Sequence, residues 1–498
     1  MSAAGFDLTT HLPALQVMVP LGGSVICAIV RQRHVSAAVT IACSLAMPLI
    51  AFALLFQVQE GGTISYAMGG WAPPMGIEYR IDAPNAFLLV LVSLMGALVA
   101  LYAPRSIANE IAPEKQGWYY AMYLMCMAGL LGMAITGDAF NVFVFMEISS
   151  LAMYTLIALG SERRALVAAF QYLIIGTIGA TFYVIGVGFI FLMTGSLNLY
   201  DIAGLIWEAE HTRPVIAGLA FIIIGIGLKL AIFPLHLWLP NAYAYAPTVA
   251  TAFIASTATK VAVYLLLRFL FSVFGVTYTF SLTPAAEILM ILAVLAMIIA
   301  SLSAIFQENI KRMLAYSSVA QVGYMILGIA LVSEAGLTGG ISHLFNHAII
   351  KACLFLAVGC VFYAAGVRRI ENLAGMGRAM PLTMAAFVIA GLGLIGVPGT
   401  AGFVSKWYLI QGAAEAEAWW LIAVIVVSSV LAVIYVGRVI EVAWFQEQTA
   451  KVVRKPPIEM LAVTWALALA TIYFGVQTDI SAGIPAQAAQ ELLTGWGR

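Results

Sequence analysis

Residues 215–240 read VIAGLAFIIIGIGLKLAIFPLHLWLP. The run is apolar over a length that approaches the roughly 20 residues a helix needs to cross a bilayer. Lys229 stands near its end, and Phe233-Pro234 follows about a turn later. Proline removes a backbone donor, and Gly225 and Gly227 loosen the helix before it. The stretch therefore predicts a membrane helix that breaks just past a lysine. Backbone groups freed by such a break must face protein or water. An interior polar site is expected there, rather than a lipid-facing anchor.

The rest of the chain agrees with a lipid environment. Of 498 residues, 63% are hydrophobic and 9% are charged, and mean hydropathy is +1.01. Soluble domains carry roughly 25% charged residues, and a larger core would still need a polar surface to cover it. Net charge is zero, which gives nucleic acid no electrostatic handhold. Cys27, Cys43, Cys126, Cys353 and Cys360 all lie in apolar stretches without a C-x-x-C pair. They read as small hydrophobic filler, so the chain is expected to bring no redox centre, cofactor or metal of its own. Met1 to His11 lacks the basic segment of a cleavable signal peptide, and insertion is expected through internal spans.

Hydropathy predicts an all-α membrane protein of about fourteen spans. Spans 1 to 5 fall near Leu12–Val30, Val35–Gln57, Ala83–Tyr102, Trp118–Thr136 and Ala139–Leu159. Spans 6 to 10 fall near Ala165–Thr194, Val215–Phe233, Thr248–Phe271, Ala285–Phe306 and Asn309–Val332. Spans 11 to 14 fall near Leu337–Ala365, Leu382–Ile395 continuing past a break, Ala418–Val436 and Met460–Val476. No linker is long enough for a soluble domain, so 1–498 reads as a single polytopic unit. Loops after odd-numbered spans hold fifteen basic residues, among them Arg31, Arg33, Arg105, Arg163, Lys311 and Arg369. The opposite side holds four: Arg80, Arg213, Arg268 and Arg498. The positive-inside rule then places both termini outside the cytoplasm, in the cell (inner) membrane.

Four basic residues remain, and all lie within spans: Lys229, Lys260, Lys351 and Lys406. Glu147, His343 and His347 join them. A charge at a helix centre costs about 2.5–3.5 kcal/mol on insertion scales, and such residues mark ion or proton pathways by default. Blander readings exist for each. Lys406 could snorkel to the interface, and Glu147 with Lys229 could be a purely structural ion pair. Neither accounts for the remaining lysines. His343, His347 and Lys351 recur every four residues and so share one helix face, a spacing suited to proton relay. Zinc on the two histidines is disfavoured, because no acidic third ligand lies nearby in sequence. The twelfth span is interrupted at Gly391-Leu-Gly-Leu-Ile-Gly396-Val-Pro-Gly399, ahead of Lys406. Paired breaks in corresponding halves point towards a translocation site. The G-x-G-x-x-G spelled by these glycines follows no strand, so dinucleotide binding is rejected.

With these residues in view, the chain resembles the antiporter-like proton-translocating subunits shared by Mrp-type cation/proton antiporters, respiratory complex I and membrane hydrogenases. The likeness runs from about Asp82 to Lys406. It is carried by Lys229-Leu-Ala-Ile-Phe-Pro-Leu-His236-Leu-Trp-Leu-Pro240, Ala246-Pro247 leading to Lys260-Val261, Gln307-Glu-Asn-Ile-Lys311-Arg-Met-Leu-Ala-Tyr316-Ser-Ser318, Lys351-Ala-Cys-Leu-Phe355, and Gly402-Phe403 before Lys406.

The resemblance implies inverted five-helix repeats at spans 4–8 and 9–13, with spans 7 and 12 discontinuous. The chain would then divide into 1–110, repeats at 117–272 and 284–437, and a last span with tail at 456–498. It implies that Glu147 pairs with Lys229, that Lys260 bridges, that His343, His347 and Lys351 form the polar stripe of span 11, and that Lys406 ends the path. His236 and Lys311 are accessory candidates. Asn241 and Tyr243 replace an Asp and a His common in complex I subunits. That departure, with lysine at 406, is similar to the D-type component of Mrp antiporters. The implied function is a proton-translocating subunit of a multisubunit Na+/proton antiporter. The alternative is a proton-pumping subunit of a complex I or hydrogenase arm, with no catalytic redox site on this chain. Expected partners are other membrane subunits, protons and Na+, and the lipid bilayer. A non-transporting scaffold is disfavoured because all four lysines are present.

Overall fold

The computed structural model describes residues 8–209, 213–449, 451–452 and 454–496. Arg498, one of the four basic residues counted on the sparse face, lies outside the described residues. Thirteen helices among the described residues are long and apolar enough to cross a membrane. The fourteenth span is the broken one. Its halves, Pro381–Ile395 and Ala401–Glu415, flank a loop at 396–400. The preceding segment, Glu371–Ala379, meets the first half at 112° and so does not continue the span. Spans 3, 4, 8, 10 and 11 form the inner layer, whereas spans 1, 2, 6, 9, 13 and 14 leave most of their residues outside the core.

One element was not foreseen from hydropathy. Between spans 2 and 3, β1 (Ile64–Ala67) pairs antiparallel with β2 (Glu78–Ile81). Buried Glu78 anchors this hairpin by accepting from Ser65 at 2.6 Å and from Asn198 at 2.8 Å. Span 3 then starts on a capping box in which Asp82 and Asn85 satisfy each other's backbone amides.

The expected repeat is visible in the backbone. Spans 6 and 11 are both 32 residues long, Arg163–Thr194 and Glu334–Ala365, and start 171 positions apart. Each ends on a left-handed glycine, Gly195 at φ 70° and Gly366 at φ 69°, where a side chain would strain the turn. Three residues later each chain forms an isolated bridge to the N-cap of a neighbouring span: Asn198 to Asp138, and Arg369 to Asn309. Asp138 caps span 5 (Ala139–Ala158) and Asn309 caps span 10 (Ile310–Ala330), each through its side chain. Spans 8 and 13 start at Thr248 and Trp419, the same 171 positions apart. Five spans is an odd number, so the second unit runs through the membrane in the opposite sense.

Close helix packing depends on glycine, as is usual without a hydrophobic drive between helices. A Cβ on Gly225 of span 7 (Arg213–Leu230) would meet the backbone of Tyr183 at 2.6 Å. One on Gly328 would strike the Gly336 carbonyl at 2.6 Å. Each repeat thus presses its broken or polar spans against a neighbour at backbone distance.

Candidate functional site

Span 7 ends at Leu230, and Ala231 adopts φ 60°, so the helix breaks one residue after the lysine's neighbour as the Gly/Pro pattern predicts. The Trp238 indole closes the break by donating to the Leu228 carbonyl at 2.9 Å. Tyr172 of span 6 stacks on that indole at 3.7 Å. A short second half, Leu239–Tyr245, completes the span.

This break presents Lys229 to span 5. Its ammonium donates to Ser150 Oγ at 2.5 Å and to the Tyr154 hydroxyl at 3.4 Å. Glu147 Oε1 lies 3.7 Å away, an ion pair without a hydrogen bond. Gly176 makes the room, since a Cβ there would stand 2.0 Å from the Tyr154 hydroxyl. A cavity of about 20 Å³ beside Lys229 is lined by Ser149, Ser150, Tyr172 and Ala258, space for a single water. It joins spans 5 and 7 to span 8, which carries Lys260.

Lys260 is fully buried and folds back on its own helix, donating to Ala255 O at 2.5 Å and Thr259 Oγ1 at 3.3 Å. No carboxylate pairs with it among the described residues. Span 8 packs on span 11 (Glu334–Ala365), and His343, His347 and Lys351 all lie within Coulombic reach of Lys260.

Span 11 is the richest element. The His343 and His347 rings are nearly parallel, at 9° and 5.9 Å. Lys351, fully buried, donates to Leu314 O at 2.8 Å and to Ser317 Oγ, both on span 10. His343 is bracketed by Gln321 Oε1 at 2.9 Å and Ser405 Oγ at 2.8 Å. An amide oxygen only accepts, so Nε2 carries the proton and Nδ1 faces the serine. Among the described residues, neither nitrogen of His347 meets a protein partner, nor do Ser342 Oγ and Asn346 Oδ1 beside it, so span 11 gathers four orphaned buried polar atoms within six positions.

The line of buried ionisable groups ends at the second break. Lys406, on the second half of span 12, reaches back to the last carbonyls of the first half, Ile395 O at 2.8 Å and Leu394 O at 3.2 Å. Those carbonyls are the negative end of a helix dipole, a natural seat for an ammonium. Ser429 takes a further bond at 2.9 Å, and the Tyr324 ring lies 4.7 Å below. Lys406 does not snorkel; it is buried.

The two accessory candidates sit apart from this line. His236 stacks on Phe233 at 5.3 Å, within the break. Lys311 donates to Ala246 O at 2.6 Å, at the arginine-rich face. There the structure adds Glu110, which accepts from Ser106 at 2.8 Å and from the Thr248 amide at 2.9 Å, at the start of span 8. Arg268, counted on the sparse face, is buried in a π-helical turn at the end of span 8, where it holds Asp82 at 2.6 Å. Neutral partners were also missed. Ser150 and Tyr154 lie three and seven residues after Glu147, and Ser317, Gln321 and Tyr324 share a similar face of span 10. Those helical spacings were the available signal.

Fold and site together define a polytopic helical membrane protein with two broken spans and a line of buried ionisable groups running between them. Comparison with known proteins places it more narrowly. The chain belongs to the NADH:quinone oxidoreductase/Mrp antiporter transmembrane family, whose model matches residues 136–432. It is 44% identical to NADH-quinone oxidoreductase subunit N of Desulforudis audaxviator, over 88% of this chain and 87% of that one. It is 28% identical to the Na(+)/H(+) antiporter D subunit of Alkalihalophilus pseudofirmus, over 88% of each. Among solved structures, a chain of the Mrp complex from Dietzia sp. DQ12-45-1b superposes with a TM-score of 0.90 at 26% identity, over 98% of both chains.

Proposed function

We propose that this chain is the proton-translocating subunit of a multisubunit Na+/proton antiporter, moving protons along Glu147, Lys229, Lys260, the His343–His347–Lys351 stripe and Lys406. The observation that carries the reading is the 3.7 Å gap between Glu147 and Lys229. The carboxylate holds the ammonium charged without gripping it, so a small displacement of either weakens the pairing. Burial favours the neutral lysine once that support is withdrawn. The released proton has Tyr154 and the small cavity on one side, and span 8 with Lys260 beyond. Repulsion among Lys260, His347 and Lys351 then passes the disturbance towards Lys406. Lys311 and Glu110 lie on the arginine-rich face and His236 within the span-7 break, and together they serve proton uptake from that face.

The loop charges support both termini lying on the non-cytoplasmic side of the cell membrane. Likeness to the antiporter D subunit and to the Mrp complex supports the antiporter reading. The 44% identity to a subunit N favours a second reading, a proton-pumping subunit of a redox-driven complex. Purifying the complex from its native membrane separates the two, because soluble iron–sulfur subunits would accompany only the second. The test of the path itself is Lys229→Ala in everted vesicles containing the whole complex, followed with a pH-sensitive dye. Exchange or pumping is expected to disappear at normal expression. Wild-type activity would defeat the proposal.

A further inference from the structure

A cavity of about 760 Å³ opens at the arginine-rich face between spans 2, 3, 4 and 14, away from the polar line. Its mouth carries Arg33 and His34 of span 2, Arg105 of span 3 and Glu459 of span 14. Its floor is made of Ile41, Leu101 and Val463 with several alanines. At 1.5 Å per residue, Ile41 lies about 12 Å below Arg33, and Leu101 and Val463 about 6 Å below Arg105 and Glu459. The lining is therefore layered, cationic at the headgroup level and apolar beneath.

The mouth is more positive than its own residues alone. Arg31 is held over Trp118 at 4.6 Å, two residues from Arg33. Arg454 donates to Asn109, on the helical turn after Arg105. Within the lining one acid stands against these, Glu459, which meets Arg105 at 3.6 Å with both side chains half exposed or more. An exposed pair of this kind contributes little by itself. Among the described residues the Arg33 guanidinium spends only its Nε on a neighbour, His34 at 3.1 Å, and Arg33 and Arg105 both line the cavity.

We propose that this cavity is a binding site for one anionic glycerophospholipid, its phosphate held by Arg33 and Arg105 and an acyl chain laid over Ile41, Leu101 and Val463. A free anion would leave the apolar floor unused. A neutral lipid would leave the guanidinium groups without a counter-charge. Basic pockets between membrane helices are suited to acidic headgroups. The site does not depend on the transport reading, only on the membrane orientation of spans 2, 3 and 14.

The test is native mass spectrometry of the intact complex, exchanged between nanodiscs of phosphatidylglycerol and of phosphatidylcholine. Wild type should retain a phosphatidylglycerol adduct that phosphatidylcholine does not replace. Arg33→Ala and Arg105→Ala should each weaken retention about five-fold. Glu459→Gln removes the competing carboxylate from an exposed position, is expected to fold normally, and should strengthen retention by a similar factor. Equal retention of both lipids, or no response to any of the three variants, would overturn the site. Loss of a protein subunit instead of a lipid in the arginine variants would also overturn it, by showing that a partner helix fills the cavity.

Discussion

Glu147 Oε1 stands 3.7 Å from Lys229 Nζ, while Ser150 Oγ accepts from the same ammonium at 2.5 Å. The neutral hydroxyl, not the carboxylate, is the lysine's closest partner. Charge and geometry are thereby separated. Ser150 and Tyr154 hold the ammonium in place, and in the proposed mechanism Glu147 controls whether it stays charged. A tight bidentate pair would have merged the two roles and been costly to open, since breaking a buried pair leaves an uncompensated charge.

Glu147→Gln keeps the shape and removes the charge. Transport should fall by about tenfold or more, the equivalent of one unit of differential protonation energy. Glu147→Asp should retain partial activity, because a shorter carboxylate still acts across a gap that was never a hydrogen bond. Vesicle transport normalised to complex abundance decides it, and equal activity of Gln and Glu would rule out charge control.

Much of this was legible in the sequence because lipid penalises charge. Lys229, Lys260, Lys351 and Lys406 stood out against apolar runs, and all four are buried as expected. The breaks were legible because Gly and Pro act on the backbone itself. Ser317, Gln321, Ser405 and Ser429 were not, since small polar residues are common in membrane helices and only their facing partner gives them meaning. The burial of Arg268 went unseen for a different reason. A π turn carries it inward to Asp82, and no local pattern announces an extra residue in a helical turn. The β1–β2 hairpin was hidden because its anchor, Asn198, lies 120 positions from Glu78.

The C-terminal helix (Ile484–Thr494) docks beside that buried pair and should respond to pH. Burial first, and then the Asp82 carboxylate, push the Glu491 carboxyl up to about 7, against the opposing pull of Arg268, the Ala83 amide and Arg80. Between its ordinary value and about 7 the docked form binds the extra proton. Stability of docking is then greatest at acid pH and declines as pH rises through that window. Protection factors over 484–494, which are the intrinsic exchange rate at each pH divided by the observed rate, should be higher at pH 6 than at pH 8, and Glu491→Gln should abolish the difference. A pH effect of the opposite sign would contradict the assignment.

Orientation can be read directly by cysteine labelling in a cysteine-free background. Single cysteines at Arg163 and Arg369 should react with an impermeant reagent only from the cytoplasmic side. One at Met75, in the hairpin loop where the side chain is 89% exposed, should react only from outside. The three positions follow spans 5, 11 and 2, so a single miscounted span between spans 3 and 11 would reverse at least one of them relative to the others.

The span-11 stripe gives the sharpest test of a relay. His343 is fixed between Gln321 and Ser405, whereas His347 has no protein partner on either nitrogen. Water can replace one imidazole more readily than it replaces the central ammonium of Lys351. Lys351→Ala should therefore cost more than either single histidine substitution, about tenfold or more if it removes one unit of proton affinity from the path. His347→Ala should be the milder of the two histidine changes, because among the described residues its ring makes no protein hydrogen bond to lose. The double histidine variant should fall below the product of the single effects, since two adjacent gaps interrupt a chain that one gap leaves connected. A stripe that serves only packing predicts the reverse: less assembled complex, with unchanged transport per molecule. Transport normalised to complex abundance distinguishes these outcomes. Equal specific activity across all four variants would remove span 11 from the path and leave Lys260 to reach Lys406 by another route.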